Sequence, residues 1–296
     1  MKRLTLESVC RKIACRPATD LRADVPCDPS RIWREEFFGL HRTRYWLSAN
    51  AASRETLVMR CASNVLREAL GIEREAMDYC AKRVLAAEDA VEKKVYCLMA
   101  AEEARHYHWL DSLVSPLTTD LSPDAFALFL KRLVAEGTPL AQSYLLQIIL
   151  EGWGISHYRR LGAGSRDPVT ARIMLGIARD EGLHYAAGAA HFDALLLTGN
   201  ERDFIRGALA ELCTMLACGP LAVLRETEVC AGGFGKSERM QTLENLQEDG
   251  LLSARLEHLA RFVAHKGMAG EADWLRSKGL LTPLPTEASL RLYEGV

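Results

Sequence analysis

Apolar residues recur at three- and four-residue intervals along most of this chain, whereas the alternation of apolar and polar residues that is typical of strands is nearly absent. The pattern therefore predicts an all-α protein. Capping residues, prolines and glycines mark four long helices in its middle part. These helices are predicted over about 53–85, 89–113 and 139–161, and from the end of the loop GAGSRDP to about 197.

Shorter helices are expected on both sides of the four long ones and between them. The Asp28-Pro29-Ser30 segment opens one of them, and Ser122-Pro123 opens another that ends near Gly137. The predicted domains are an N-terminal, partly helical extension at 1–52, a four-helix unit at 53–200 and a C-terminal helical extension at 201–296 that packs on it.

The second and fourth long helices each carry the motif Glu-x-x-His, as Glu103 with His106 and Glu181 with His184. Residues three apart lie on one face of a helix, so a carboxylate and an imidazole at this spacing can bind the same ion. One such motif is weak evidence, because it is short enough to arise by chance in a long chain.

The spacing of the motifs is more informative than the motifs themselves. Glu73 precedes Glu103 by the same interval at which Glu151 precedes Glu181, and one constant offset relates the two sets, which makes them an internal repeat. A four-helix bundle that binds two metal ions takes one Glu from each of two helices and Glu-x-x-His from each of the others. The predicted metal ligands are Glu73, Glu103, His106, Glu151, Glu181 and His184.

The surroundings of these four glutamates also favour a metal site. Each lies within the apolar stripe of its helix, where no Lys or Arg is available as a partner. A buried charge without a partner costs several kcal/mol, so converging carboxylates need cations between them. Glu151 is the only acidic residue between Gly137 and Ser165, whereas Glu73 has Glu68 and Glu75 nearby. The alternative is that these are surface or capping residues and that the repeat is accidental.

An acidic residue precedes the glutamate of each motif, Glu102 before Glu103 and Asp180 before Glu181. We expect Asp180 to accept a hydrogen bond from the ring nitrogen of His106 that does not bind metal, and Glu102 to do the same for His184. Such partners orient an imidazole and fix its tautomer. The alternative is a pair of solvated surface acids.

Small residues are frequent near the predicted ligands, among them Gly152, Gly154, Gly182 and Gly188. Glycine inside a helix costs about 1 kcal/mol relative to alanine, so these positions need a reason. A substrate cavity that reaches the metals and close packing of the helices are both open explanations. His157 is off the ligand face and is expected to make ordinary polar contacts.

At these residues the chain resembles the ferritin-like di-iron carboxylate superfamily. EEARH is similar to the first iron motif of acyl carrier protein desaturases, and ARDEGLH and LEGWGISHY are similar to iron motifs of the ribonucleotide reductase small subunit. The equal intervals are more like those of rubrerythrins and the ubiquinone-pathway hydroxylases. The likeness covers about residues 60–195 and implies a ferritin-like four-helix bundle with helical N- and C-terminal extensions.

The chain departs from individual members of that superfamily. Leu110 occupies the position of the radical tyrosine of a reductase small subunit, and Glu73 replaces the Asp that is usual there. No CxxC pair is present, so the rubredoxin-type iron centre of rubrerythrin is missing. These differences disfavour a radical-generating subunit.

The resemblance implies an O₂-activating di-iron oxygenase or oxidase that hydroxylates, desaturates or N-oxygenates a small organic or carrier-bound substrate. Its implied cofactors are two iron ions, although manganese or a mixed pair suits the same ligands. Glu103, Glu151 and Glu181 are the expected catalytic residues. The chain has no flavin or nicotinamide motif, so a separate electron donor, a ferredoxin or a reductase, is expected. A ferroxidase-like iron-handling protein and a radical-generating small subunit remain the alternatives.

Composition narrows the expected partners and compartment. The net charge of −2, from 37 basic and 39 acidic residues, gives no reason to expect nucleic acid or an anionic membrane. No segment of about 18 apolar residues lacks a charge, and the N-terminus does not resemble a secretory signal. Nine cysteines without a CxxC pair favour buried thiols, most of them reduced, in a cytoplasmic protein. Besides the substrate, O₂ and the electron donor, a second copy of the chain in a homodimer is a possible partner.

Overall fold

Helices make up most of the described chain, and no strand occurs in it, so the prediction of an all-α protein is confirmed. The computed structural model describes residues 5–15, 21, 28–114, 125–247 and 250–294. The predicted helix start at Ser122-Pro123 lies outside these residues, as does Cys27. The eight described cysteines are free, and Cys97 is exposed rather than buried in the core.

The N-terminal helices are short, and the next two are long. The N-terminal ones are α1 (Leu6–Ala14), α2 (Glu35–Phe38) and α3 (Arg44–Ser48). The long ones are α4 (Ala51–Ala86) and α5 (Ala90–Val114), close to their predicted bounds. Asn50 caps α4 by accepting a hydrogen bond from the backbone N–H of Ser53. The Asp89 carboxylate accepts from two N–H groups at the start of α5.

The third long helix is built of three pieces, preceded by α6 (Ala125–Glu136). They are α7 (Pro139–Gln142), a π-helix over Ser143–Glu151, and α8 (Gly152–Gly164), which runs beyond the predicted end. α9 (Pro168–His191) is the fourth. The prediction that it reaches residue 197 is wrong, because Phe192 is extended and Ala194–Leu196 form a separate 3₁₀ turn capped by Asp193.

Six helices follow in the described C-terminal part. They are α10 (Gly199–Ala217), α11 (Leu221–Ala231), α12 (Lys236–Leu246), α13 (Leu251–Val263), α14 (Ala269–Ser277) and α15 (Thr286–Glu294). The closest packing on the long helices is that of α10 on α7 and the π-helix, of α11 on α4, and of α13 on α8 and the π-helix.

The long helices pack as two pairs, α4 on α5 and α8 on α9. The pairs meet mainly where α5 lies against α9, whereas α4 and α8 have few close backbone approaches. The core formed by these helices consists of two apolar clusters, one around Tyr96 and Ile148 and the other around Trp109 and Ile177. On each of the long helices the predicted ligands lie between the residues that belong to one cluster and those that belong to the other.

No single helix in the described part of the chain is long and apolar enough to cross a membrane. Only α10 and α11 taken together, with a bend of 43° between them, have the length and composition for it.

Candidate metal centre

The polar layer between the two apolar clusters contains all six predicted ligands. Five of them are buried, and Glu151, at the junction of the π-helix and α8, is half-buried. Their ligand atoms form two groups, within each of which all atoms lie within 4.8 Å of one another. The first group is Glu73, Glu103, His106 and Glu181, and the second is Glu103, Glu151, Glu181 and His184.

The two groups overlap in the two motif glutamates. Glu103 and Glu181 belong to both, so each could contribute an oxygen to either of two neighbouring ions. Glu73 with His106, and Glu151 with His184, each belong to one group only. The arrangement therefore has two shared carboxylates in the middle and one carboxylate and one imidazole at each end.

Both imidazoles have the same orientation. His106 Nδ1 lies 3.2 Å from Glu73 Oε2 and 3.1 Å from Glu103 Oε2, and His184 Nδ1 lies 2.9 Å from Glu103 Oε1. Each Nε2 faces away from the cluster. Nδ1 is thus the nitrogen that each histidine can offer to a metal ion.

The outward nitrogens contact the two acids that precede the motif glutamates. His106 Nε2 lies 3.2 Å from Asp180 Oδ2, and His184 Nε2 lies 3.0 Å from Glu102 Oε2. Glu102 and Asp180 are buried, so they are not the solvated surface acids of the alternative. Arg105 and Arg179 pair with them at 3.5 and 3.2 Å, respectively. A carboxylate that accepts from Nε2–H keeps the Nδ1 lone pair directed into the cluster.

Glu73 has a further partner that the spacing does not predict. The Tyr158 hydroxyl donates a hydrogen bond to Glu73 Oε1 across the gap between α8 and α4. Tyr158 lies seven residues after Glu151 and so on the same helix face, which is the only sequence signal for it. Glu75, the competing choice on α4, is paired with Arg74 at 3.1 Å.

Glu151 Oε2 is buried and has no hydrogen-bond partner among the described residues. A buried carboxylate oxygen without a partner is costly, and a metal ion bound beside it would satisfy it. The donor set of four carboxylates and two imidazoles also matches the preference of iron and manganese for oxygen and nitrogen ligands. The residues present therefore fit a metal ion.

The electrostatics of the metal-free cluster favour the same conclusion. Burial raises the pKa of Glu73 to about 8 and raises the pKa values of Glu151 and Glu181. Burial also acts to raise the pKa of Glu103, but the neighbouring His184 and His106 bring it well below its usual range. Without metal, some carboxylates near neutral pH therefore hold protons that a cation would displace.

A buried polar network supports the cluster from the side of Tyr96, and the sequence pattern does not predict it. The Tyr79 and Tyr96 hydroxyls each donate to Gln147 Oε1 at 2.9 Å. The Gln147 amide donates to the backbone carbonyl of His184 at 3.1 Å. This network ties the π-helix to α4, α5 and α9 beside a predicted ligand.

Of the two explanations for the glycines near the cluster, close packing of the helices applies to some and open space to others. A Cβ on Gly188 would collide with the side chain of Gln147, and one on Gly152 would lie 2.8 Å from Phe262 Cε1. Close packing explains these two. At Gly154 and Gly182, by contrast, no heavy atom of the described residues would come within 4 Å of a Cβ. Of these four glycines, only Gly154 and Gly182 therefore face open space.

No protein-family model matches this chain, and comparisons with curated proteins and with solved structures found no match. The fold and the site themselves define its class. It is an all-α protein with a buried cluster of carboxylates and histidines that could hold a metal ion.

Proposed function

We propose that this protein is a non-haem di-iron enzyme of the ferritin-like, four-helix-bundle type that activates O₂ to oxidise an organic substrate. The observation that carries the proposal is the overlap of the two ligand groups in Glu103 and Glu181. A single ion bound by either group would leave two of the six residues, one carboxylate and one imidazole, without a metal ion. Two neighbouring ions account for all six residues.

In this proposal Glu73 and His106 hold one ion, Glu151 and His184 hold the other, and Glu103 and Glu181 serve both. A bound pair of ferrous ions supplies the electrons and open coordination positions that O₂ activation needs. Manganese fits the same donors, and metal analysis distinguishes the two.

The surrounding residues prepare the site for this chemistry. Asp180 and Glu102 orient the two imidazoles, and the Tyr158 hydroxyl holds one oxygen of Glu73. Glu151 Oε2, which has no hydrogen bond in the described structure, can turn towards an ion without breaking an existing contact. The two apolar clusters exclude water from both ends of the polar layer.

The chain has no flavin or nicotinamide motif, so the reaction requires electrons from a separate donor, for which a ferredoxin or reductase is the natural class. The substrate is a small organic or carrier-bound molecule. Oxygen insertion, desaturation and N-oxygenation are all within the reach of the proposed site.

The test is anaerobic loading with ferrous iron, followed by metal analysis and by measurement of O₂ consumption. About two ions per chain are expected for the wild type, with prompt O₂ uptake. Glu151→Gln should lose at least one ion and the O₂ uptake. Glu75→Gln, which changes a buried carboxylate outside the cluster, is the matched control and should retain both.

Failure of the wild type to bind iron or manganese would refute the metal site. Uptake of many ions per chain, with O₂ consumed in proportion to the iron added, would instead indicate an iron-handling protein.

A further inference from the structure

Two arginines on helices that pack against each other make no ion pair with a carboxylate of the described residues. Arg160 is on α8 and Arg255 is on α13, which packs against α8. Neither guanidinium makes a hydrogen bond or an ion pair with the described residues. Arg160 is exposed and Arg255 is half-buried, so a ligand can reach both. Some other arginines of the described chain, such as Arg83 with Glu92, are paired.

Flat apolar surfaces flank these two charges. The Arg255 guanidinium carbon lies 5.5 Å from the centre of the Trp153 ring, and that of Arg160 lies 4.6 Å from the centre of the Phe37 ring. The Trp153 ring is itself stacked on His157, with ring centres 5.7 Å apart and an angle of 16° between the planes. Charged donors beside stacked rings would suit a ligand that has both an anionic group and a flat body.

The local charge is unbalanced. Desolvation by the surrounding protein lowers the pKa of Arg160 to about 10, and repulsion by Arg255 contributes. Burial also lowers the pKa of His157 to about 3, and both arginines contribute. Among the described residues, Glu68 on α4 is the carboxylate that acts on both guanidiniums. Two positive charges that repel each other would be stabilised by a bound anion.

Gly154 lies on α8 between Glu151 and Arg160 in the sequence. Residues three and four apart are neighbours on a helix, so Gly154 neighbours Glu151 on one side and His157 and Tyr158 on the other. No heavy atom of the described residues would come within 4 Å of a Cβ at this position. Gly154 lies on α8, which has few close backbone approaches to α4. The path along α8 from Arg160 past Gly154 to Glu151, called the strip below, is thus open at Gly154.

We propose that Arg160 and Arg255 bind the carboxylate of a flat, apolar organic acid whose body lies along Gly154 towards Glu151. This acid is the substrate class of the enzyme, an assignment that rests on the function proposed above. The two guanidiniums supply charge and hydrogen bonds to the carboxylate, and Trp153 and His157 supply a flat surface beside it. The site would then select substrates that have a carboxylate at one end and an aromatic or conjugated body.

Binding can be tested on the metal-free protein by titration calorimetry at low ionic strength. The probes are benzoate, neutral benzamide and inorganic phosphate. Benzoate is expected to bind with a Kd of about 1 mM or tighter, and benzamide at least about tenfold more weakly, because hydrogen bonds to a charged group carry most of the affinity. Phosphate lacks the flat body and should also bind more weakly than benzoate.

The informative variant is Arg160→Gln with Arg255→Gln, and its matched control is Arg159→Gln with Arg172→Gln. The control removes the same charge from two exposed arginines that lie outside the strip. The first double variant should weaken benzoate binding about tenfold or more, and the control should leave it unchanged. Equal losses in both variants would mean general charge attraction and would overturn the proposal.

Three other results would also overturn it: no benzoate binding to the wild type, equal binding of benzamide, or a preference for phosphate. Iron content is measured separately in the same variants. Loss of benzoate binding with iron content retained supports the anion site, whereas a wild type that binds benzoate but no iron refutes only the di-iron function.

Discussion

The two halves of the candidate metal centre share one spacing but differ in how firmly their outer carboxylates are held. The first half is Glu73 with Glu103 and His106, and the second is Glu151 with Glu181 and His184. Glu73 contacts His106 and accepts from Tyr158. Glu151 Oε2 has no hydrogen-bond partner among the described residues.

The difference arises from residues outside the repeated motif. The offset that relates the two halves aligns Tyr158 with Cys80, so the position that would supply a phenol to Glu151 carries a thiol instead. Gly188 likewise corresponds to Leu110, a buried side chain of the apolar core. At Gly188 the missing side chain lets Gln147 of the π-helix approach α9. The second half is thus built around a π-helix that the first half lacks.

The two halves are therefore expected to differ in how easily their outer carboxylates move. A carboxylate held by two partners is preorganised for one position, whereas a carboxylate with an unpaired oxygen can change its coordination at small cost. π-Helices are frequent at functional sites, where they shift the side chains that follow them. On the proposed function, we expect the half containing Glu151 to adjust during the reaction and the half containing Glu73 to stay fixed.

The largest expected effect is the loss of metal binding when a carboxylate shared by both groups is replaced, compared with the loss when an outer carboxylate is replaced. Glu103→Gln removes a ligand common to both groups, so the affinity for both ions should fall more than about a hundredfold. Loss of a residue that only hydrogen-bonds to a ligand lowers metal affinity by less, about 10- to 100-fold. Glu73→Gln should leave one ion per chain. The measurement is anaerobic titration with ferrous iron, and a Glu103→Gln protein that kept one ion at wild-type affinity would contradict the sharing.

Tyr158→Phe should make the first half resemble the second, because neither outer carboxylate would then accept a hydrogen bond from a tyrosine. It removes the hydrogen bond to Glu73 without emptying the space that the ring fills. Loss of a hydrogen bond to a charged group predicts about tenfold weaker binding of one ion, with the other unchanged. The matched control is Tyr144→Phe, whose hydroxyl donates to the backbone of Val263 rather than to the cluster. Equal weakening of both ions would show that Tyr158 does not act on one half alone.

The periodicity and the constant offset between the two sets suffice to place the long helices and to select the six residues that the structure brings together. They select Glu73 over Glu75 on the same helix, because only Glu73 has the required interval. The contacts of Asp180 and Glu102 follow from their positions beside the motifs. Local pattern is sufficient for these features, because each depends on which face of a helix a residue occupies.

Other features depend on contacts between distant parts of the chain. The π-helix is not visible in the pattern, since its residues are as apolar as those of an α-helix. Tyr158 contacts Glu73 on a helix far away in the sequence, and the end of α9 depends on the capping of a short turn by Asp193. Tertiary packing decides such features, and local propensity does not.

The smallest expected effects are changes in stability on substitution of two glycines of the second half, Gly188, which is closely packed, and Gly154, which faces open space. Gly188→Ala should lower the free energy of unfolding of the metal-free protein by about 1–3 kcal/mol, because the added Cβ collides with Gln147. Gly154→Ala should raise it by up to about 1 kcal/mol, since alanine favours the helix and the Cβ meets no described atom. Urea denaturation measures both. If Gly188→Ala were neutral, the π-helix would be able to move away from α9, and the glycine would be a hinge of the adjustable half rather than a fixed contact. If Gly154→Ala were strongly destabilising, the strip along α8 would already be filled, and a substrate would need another route to Glu151.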